Sequence, residues 1–121
     1  MQPGRGRVPE AIVRAYEDII GKEVISYQGQ SLGEIKELMI DAAAGRVTYA
    51  VLSFGGFLGL GDKLFAVPWV SLSYDRDRDA FMIKADKELL ENAPGFDKDK
   101  WPNMSDATWK WTVHKYYDAP L

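Results

Sequence analysis

The glycine-rich stretch at residues 56–61, Gly-Phe-Leu-Gly-Leu-Gly, is the first candidate for ligand chemistry in this sequence. A dinucleotide-binding loop has its glycines in the order G-x-G-x-x-G between a strand and a helix, so that backbone N–H groups meet a phosphate. Here the spacing is reversed, and the residues that follow predict a strand instead of a helix. We therefore predict an apolar hairpin tip, with Phe57, Leu58 and Leu60 packing against a neighbouring molecule.

Three alternating aspartates, Asp75, Asp77 and Asp79, resemble the first half of a calcium-binding loop. Such a loop also needs a glycine at its sixth position and a glutamate at its twelfth. The sequence has Ala80 and Asp86 at those two positions, and arginines at 76 and 78 add positive charge to the same turn. This pattern favours a solvated turn, and we predict no metal site.

Acid–base or nucleophilic chemistry has few candidates. His114 is the one histidine of the chain, and no serine or carboxylate stands at a spacing that would mark it as a catalytic base. Glu34 and Glu37 form no evident acid–base pair, because nothing in the sequence fixes their separation. We therefore predict no catalytic residue and no cofactor, and we expect a protein that is not an enzyme.

Three of the four tryptophans, Trp101, Trp109 and Trp111, lie after residue 100. Exposed aromatic rings can stack on nucleic-acid bases, but that kind of binding also needs a basic groove. Aromatic residues at helical spacing are more typical of a core or of an interface anchor. Together with the three apolar residues of the glycine-rich tip, these tryptophans form our predicted interaction surface.

Composition supports one soluble domain. The chain has 121 residues, of which 46% are hydrophobic and 27% charged, and its net charge is −3. This acidic balance argues against nucleic-acid binding, and the absence of cysteine excludes disulfides and thiolate metal sites. No stretch reaches the roughly 18 apolar residues of a membrane span, and residues 1–9 have no signal-peptide core. We expect a flexible arm at residues 1–17 and a cytoplasmic protein.

The middle of the chain consists of short apolar runs separated by glycines and polar turns, which is typical of small strands in a meander or barrel. About six strands are predicted, at residues 22–27, 32–41, 46–54, 64–67, 70–74 and 80–84. In the second strand, Ile35, Leu38 and Ile40 face one side only if a one-residue bulge lies near Lys36 and Glu37. The third strand is apolar on both faces, which predicts a central position covered on each side.

The tail has a helical character. Asp86 is the predicted N-cap of a helix that extends to Asn92 and buries Leu89 and Leu90. A loop over residues 96–104 leads to a second helix at residues 106–117, with Ser105 as its expected cap.

The second helix has its predicted apolar stripe at Trp109, Val113 and Tyr116. The domain boundaries that we expect are an arm at 1–17, a barrel at 18–86, and an aromatic-rich helical extension at 87–121.

These elements occur in a familiar order. From residue 18 to residue 86 the chain resembles the PRC-barrel domain family, and residues 93–98 with Trp101-Pro102 resemble the tail of stand-alone bacterial members. The segments that carry the resemblance are Ile19–Val24, Leu32–Ile35, Gly45–Val47, Tyr49–Leu52 and Phe65–Trp69. The resemblance implies a small, strongly bent antiparallel β-barrel with a C-terminal helical tail.

The same module occurs in the H subunit of the photosynthetic reaction centre and in a ribosome maturation factor, whose functions differ. What these relatives share is the use of the barrel as a docking surface for other proteins. We therefore expect a non-enzymatic interaction or assembly module that self-associates or docks on a larger protein complex, without nucleic acid. The alternatives are a soluble accessory protein of a photosynthetic or electron-transport complex and a small-ligand-binding protein.

Overall fold

The computed structural model describes residues 12–54 and 63–121. Residues 1–11 and the predicted hairpin tip with Phe57, Leu58 and Leu60 lie outside the described residues. A π-helical turn at Ala15–Ile19 precedes the first strand, and a 3-10 turn at Trp69–Ser71 precedes the fifth. The strands and helices are β1 Glu23–Ser26, β2 Ser31–Asp41, β3 Arg46–Ser53, β4 Lys63–Pro68, β5 Leu72–Asp75, β6 Ala80–Ile83, α1 Lys87–Glu91, β7 Phe96–Asp97 and α2 Ala107–Tyr116.

The strands form one sheet in the order β5-β6-β1-β2-β3-β4-β7, which confirms a mainly β fold with a C-terminal helix. β1 and β6 are parallel, with Val24 opposite Phe81, whereas the resemblance implied an antiparallel barrel. The reason is that no hairpin joins these two strands: β6 returns after four intervening strands and pairs along the free side of β1. In the described part of the chain, β5 and β7 are the two end strands.

The sheet curls around one core, because a single face of six strands supplies its side chains. Val24, Ile35, Leu52, Phe65 and Phe81 come from β1, β2, β3, β4 and β6, and they share one buried cluster. Leu72 and Tyr74 of β5 pack against the same cluster. A flat sheet cannot bring residues from its two ends together in this way. The strongly bent sheet that the resemblance implied is therefore present, although β5 and β7 do not pair with each other.

Register shifts in β2 explain part of the bend. Ile35 pairs with Leu52 and Glu37 with Val51, which leaves Lys36 as the extra residue of a bulge at the predicted position. Ile35 and Leu38 consequently both reach the core. The expectation that Ile40 would join them is wrong, because a second register shift lies between Met39 and Ile40 and leaves Ile40 56% exposed.

β3 is buried on both faces, as its sequence predicted. Ala50 and Leu52 face the main core, whereas Tyr49 belongs to a second cluster with Ala66 of β4 and Val113 of α2. Helix α2 therefore covers the outer face of β3 and β4. This packing fixes the position of the chain after α2, which forms part of the candidate site described below.

The helix ends show one confirmed prediction and two corrections. Asp86 caps α1, accepting a hydrogen bond from the Leu89 amide at 2.8 Å, as predicted. Leu90 is fully buried, but Leu89 is 37% exposed, because the five-residue helix α1 directs only the Leu90 side chain into the core. The cap of α2 is Asp106 instead of Ser105, since the Asp106 carboxylate is the group that accepts from the Trp109 amide.

Strand β7 lies in a stretch that the sequence predicted to be a loop. It adds to β4 through the pairs Lys63–Asp97 and Leu64–Phe96. The preceding Gly95 permits this close approach, since a Cβ atom there would lie 2.9 Å from the Leu64 carbonyl oxygen. Two residues are too few to produce a recognisable strand pattern in the sequence.

Candidate functional site

A cleft of about 640 Å³ lies where the ends of β1 and β6 and the start of β5 meet the segment after α2. We call it the tail cleft. Its lining residues are Tyr27, Val70, Ser71, Leu72, Ser73, Met82, Ile83, Lys84, Leu89 and Tyr116–Pro120. Its volume is in the range of sites that accept a side chain or a small molecule.

The tail cleft is apolar at its mouth. Val70 is 64% exposed and Tyr27 59% exposed, and Leu89 of α1 is partly exposed beside them. The polar residues that line the cleft include Ser71, Ser73, Lys84 and Asp118, in addition to its three tyrosines. Such a surface suits an apolar group that carries polar atoms at its edge.

One wall of the cleft is formed by Leu72 and Ser73 of edge strand β5 together with Met82 and Ile83 of β6. Among the described residues, β5 pairs with β6 alone, from Leu72 opposite Ile83 to Asp75 opposite Ala80. Leu72 and Tyr74 turn toward the core, while Ser73 is exposed on the other face. An edge strand presents backbone N–H and C=O groups that a further strand can satisfy.

The opposite wall is formed by residues 117–120, the segment after α2, and His114 holds this segment in place. The Nδ1 atom of His114 lies 2.8 Å from the carbonyl oxygen of Pro120, and its Nε2 atom lies 2.7 Å from the hydroxyl of Tyr49. Because a carbonyl only accepts, Nδ1 donates to Pro120, and in the neutral ring Nε2 then accepts from the Tyr49 hydroxyl. Burial raises the pKa of Tyr49, which keeps this hydroxyl a donor.

The two tyrosines at the end of α2 attach the same wall to α1 and to the core. Tyr116 donates its hydroxyl to the Leu89 carbonyl oxygen at 2.5 Å, and its pKa is raised by burial and by the negative charge of Asp86. Tyr117 packs against both hydrophobic clusters, and its buried hydroxyl has no hydrogen-bond partner among the described residues. Burial, and then the neighbouring Tyr116, raise the pKa of Tyr117 well above its usual range.

The predicted interaction surface divides between the core and the exterior. Trp109 packs edge-to-face on Tyr49 with 5.1 Å between ring centroids, and it is partly buried in the second cluster. Trp101 and Trp111 are exposed, the former beside Phe96. None of the three lines the tail cleft.

The turn with the alternating aspartates holds the carboxylates of Asp75 and Asp79 in internal contacts. Asp75 accepts hydrogen bonds from the amides of Asp77 and Arg78, as in an ordinary Asx turn. Asp79, in the left-handed backbone region at φ 51°, accepts from the Tyr74 hydroxyl and pairs with the Lys22 ammonium at 3.1 Å. Across the described ranges no group of three or more histidine, aspartate or glutamate side chains is arranged to hold a metal ion.

The Lys22–Asp79 pair was missed by sequence reasoning. The Lys22 side chain is only 6% exposed, and Asp79 is 42% exposed. The pair joins the start of β1 to the turn between β5 and β6, two segments that are 57 residues apart. No local signal in the sequence links them, because a lysine before a strand is ordinarily solvated.

Glu34 and Glu37 lie on β2 and are both exposed. The carboxylate of Glu34 is 3.7 Å from the ammonium of Lys36.

Comparison with known proteins places the fold in a family. A search of curated proteins gave no match to this chain. Among the residues that the structure describes, no helix has the length and apolar character needed to cross a membrane. The family model of the PRC-barrel domain matches residues 12–90, a range that ends in α1 and so leaves β7, α2 and the tail wall of the cleft outside it. On this match, and with a curled sheet of the expected kind, the chain belongs to the PRC-barrel domain family.

Proposed function

We propose that this chain is a non-enzymatic docking module that binds an extended segment of a protein partner along β5, with an apolar side chain of that segment in the tail cleft. The observation that carries the proposal is the position of the cleft directly beside an edge strand. Each feature alone is common on protein surfaces, but together they offer both kinds of contact that a bound strand uses.

The first kind of contact comes from the backbone. A peptide that adds to a sheet edge forms main-chain hydrogen bonds, which supply affinity with little dependence on sequence. β5 has one partner strand among the described residues, and the bound segment would pair along its other side. The strand is short, which limits indiscriminate association at the edge.

The second kind of contact comes from the cleft. Val70, Tyr27 and Leu89 surround an opening into which an apolar side chain can insert, and this insertion removes apolar surface from water on both partners. Lys84 and Asp118 line the same cleft and can select polar atoms beside the inserted side chain. Specificity would therefore come from the side chains and affinity from the backbone.

The chemistry around the cleft supports binding more than catalysis. Both ring nitrogens of His114 are occupied, by Tyr49 and by Pro120, so neither is available to move a proton in the cleft. The serine hydroxyls that line the cleft have no histidine or carboxylate bonded to them in the described residues. Membership of the PRC-barrel family also agrees with a docking role.

A displayed library of random extended peptides tests the proposal and does not require the natural partner to be identified. We expect selected peptides to share an apolar residue, and to bind Val70→Asp at least about tenfold more weakly because the charge is buried against that residue. Ile40→Asp is the matched control, since Ile40 is also β-branched and exposed but does not line the cleft.

Failure to select any peptide would contradict the proposal. Equal binding by wild type, Val70→Asp and Ile40→Asp would contradict it as well, because the peptides would then bind elsewhere. If a small molecule from a metabolite screen bound saturably and Val70→Asp abolished its binding, while no peptide did so, the tail cleft would be a small-ligand site instead.

A further inference from the structure

We infer that the segment bound at β5 carries a lysine or arginine beside its apolar residue, and that the carboxylate of Asp118 recognises this cation. The inference rests on the proposed function and specifies the chemistry of the partner. It follows from the backbone conformation and the charges at the end of α2, where the tail wall of the cleft begins.

Asp118 occupies a position at which glycine is the usual residue. The amide of Ala119 donates to the His114 carbonyl oxygen at 2.8 Å, and the amide of Asp118 donates to the Lys115 carbonyl oxygen at 3.2 Å. These two bonds form a Schellman motif, in which the residue after the helix takes the left-handed conformation. Asp118 takes it with φ 54°, at a steric cost that glycine would not have. The geometry of the turn therefore does not explain an aspartate here.

The charge of Asp118 is also unfavourable at this position. Helix α2 has ten residues, and the C-terminal end of a helix carries a partial negative charge that repels a carboxylate. In the part of the chain that the structure describes, no hydrogen bond or ion pair engages the Asp118 carboxylate. The side chain is exposed and lines the tail cleft. A residue with two local costs and no internal contact is explained by a group that binds in the cleft.

The two basic side chains in the last turn of α2 do not pair with Asp118. The Lys115 ammonium lies over the Trp111 ring, 4.6 Å from the ring centroid. The ring nitrogens of His114 contact Tyr49 and Pro120. The tail wall therefore keeps a negative charge to which a cation is complementary.

Asp86 adds to the negative potential beside the cleft. Burial, and then the negative charge of Asp86, raise the pKa of Tyr116, which lines the cleft. Because the Asp86 carboxylate caps α1 by accepting from the Leu89 amide, its position is fixed. Two carboxylates and the end of α2 thus contribute negative potential to the same region.

Lys84 limits where the cation of the partner can lie. It directly follows β6 and belongs to the wall formed by the sheet, whereas Asp118 belongs to the tail wall. A basic side chain between the two walls is attracted by Asp118 and repelled by Lys84, so its charged end points away from the sheet. Lysine and arginine suit this site, because their aliphatic stems can lie on the apolar surface of the cleft while their charged ends reach the carboxylate.

Peptide selection against two forms of the protein tests the inference. The displayed library is selected in parallel on wild type and on Asp118→Lys. We expect lysine or arginine at a constant distance from the apolar residue in the wild-type pool, and aspartate or glutamate at that position in the Asp118→Lys pool. Asp99→Lys is the matched control: Asp99 is also exposed but does not line the cleft, so its pool should resemble the wild-type pool.

Titration calorimetry with one selected peptide measures the contact itself. Asp118→Asn should bind the peptide about tenfold more weakly, and wild type should bind the peptide with its basic residue replaced by methionine about tenfold more weakly as well. Combining the two changes should add little, because both remove the same contact. Asp118→Asn should melt at or above the wild-type temperature, since asparagine is accepted in the left-handed region and carries no charge.

The outcomes distinguish the inference from the function on which it rests. Peptides that depend on Val70 but share no basic residue, or that bind Asp118→Asn as tightly as wild type, overturn the inference and leave the docking function standing. Peptides that share an acidic residue and need Lys84 overturn it too. An Asp118→Asn protein that melts below wild type shows an internal role for the carboxylate and also overturns it. A chain that selects no peptide overturns both proposals.

Discussion

The hydroxyl of Tyr49, on the central strand β3, lies 2.7 Å from Nε2 of His114, on helix α2. The other nitrogen of the same ring donates to the carbonyl oxygen of Pro120, at 2.8 Å. One imidazole therefore connects the middle of the sheet to the segment that forms a wall of the tail cleft. The shape of the cleft depends on this connection as much as on the residues that line it.

The tautomer of His114 is the first testable consequence. In the neutral ring, the Pro120 carbonyl requires the proton to lie on Nδ1, which is the less common tautomer of a free imidazole in water. We expect long-range ¹H–¹⁵N correlation spectra to show that the neutral ring has Nδ1 protonated and Nε2 unprotonated. The opposite assignment would mean that the Pro120 carbonyl is not the partner of the ring.

Removal of the imidazole should loosen the tail wall. His114→Ala eliminates both hydrogen bonds, and we expect a loss of about 1–3 kcal/mol in the free energy of unfolding, together with faster hydrogen exchange after residue 117. Tyr49→Phe is the control, because it removes the bond to the sheet but keeps the bond to Pro120. Equal exchange in the tail of both variants would contradict the role of His114 in holding this segment.

Tyr117 provides a prediction about alkaline stability. Its hydroxyl is buried without a partner among the described residues, so Tyr117→Phe should raise the free energy of unfolding by about 1 kcal/mol. Burial raises its pKa in the folded state above the ordinary value of 10.0. As the pH rises, the unfolded chain therefore loses the Tyr117 proton before the folded protein does. The contribution of this pKa difference to the free energy of unfolding is complete below pH 10 and decreases as the pH rises further.

Urea unfolding at about pH 8 and about pH 11 measures both effects. We expect Tyr117→Phe to reduce the loss of stability between these two values, although Tyr49 and Tyr116, whose pKa values are also raised, retain part of it. Tyr116→Phe serves as the comparison: it should destabilise the protein, because it leaves the Leu89 carbonyl without its donor. A Tyr117→Phe protein less stable than wild type would show that the hydroxyl has a partner in solution.

The Lys22–Asp79 and Lys36–Glu34 pairs should differ in strength. Lys22→Met removes the partner of Asp79 from a nearly buried position, and we expect a loss of about 1–3 kcal/mol, reduced from the value for a fully buried pair because Asp79 is partly solvated. Lys36→Met breaks the exposed pair with Glu34 and should change stability by less than about 0.5 kcal/mol. Similar effects of the two substitutions on the urea midpoint would contradict a structural role for Lys22.

Gly33 is expected to tolerate no side chain. A Cβ atom at this position would lie 2.1 Å from the Ser53 carbonyl oxygen, and the backbone has φ 128°. Gly33→Ala should therefore cost more than about 3 kcal/mol, since β2 and β3 must separate to relieve the overlap. Gly45→Ala, with φ 71° and open space around the site, should cost only about 1 kcal/mol. Thermal unfolding of both variants measures the difference.

Local patterns in the sequence predicted most of the sheet. The bulge at Lys36 followed from the odd spacing of Ile35 and Leu38, and the double burial of β3 followed from its uninterrupted apolar run. These predictions succeeded because alternation within a strand reports directly on which face is buried. Ile40 failed because a second register shift, at Thr48 of β3, depends on the partner strand and has no signal within β2.

The candidate site was much less accessible from the sequence. Its walls come from residues 27, 70–73, 82–84, 89 and 116–120, and only the folded chain shows that these segments converge. The aromatic residues of the tail were recognised as important, but Trp109 contacts Tyr49 in the second cluster instead of lining the cleft. The tip residues Phe57, Leu58 and Leu60 stay a prediction, since they lie outside the described residues.

The parallel pairing of β1 with β6 has a consequence for synthesis of the protein. β1 lies in the interior of the sheet, but one of its two neighbours is made more than fifty residues later. A nascent chain that has emerged only as far as Pro68 carries β1 to β4 with the free edge of β1 exposed. Folding on the ribosome is therefore incomplete until residue 83 has left the exit tunnel, and during that interval the edge of β1 is the surface on which misassembly would begin.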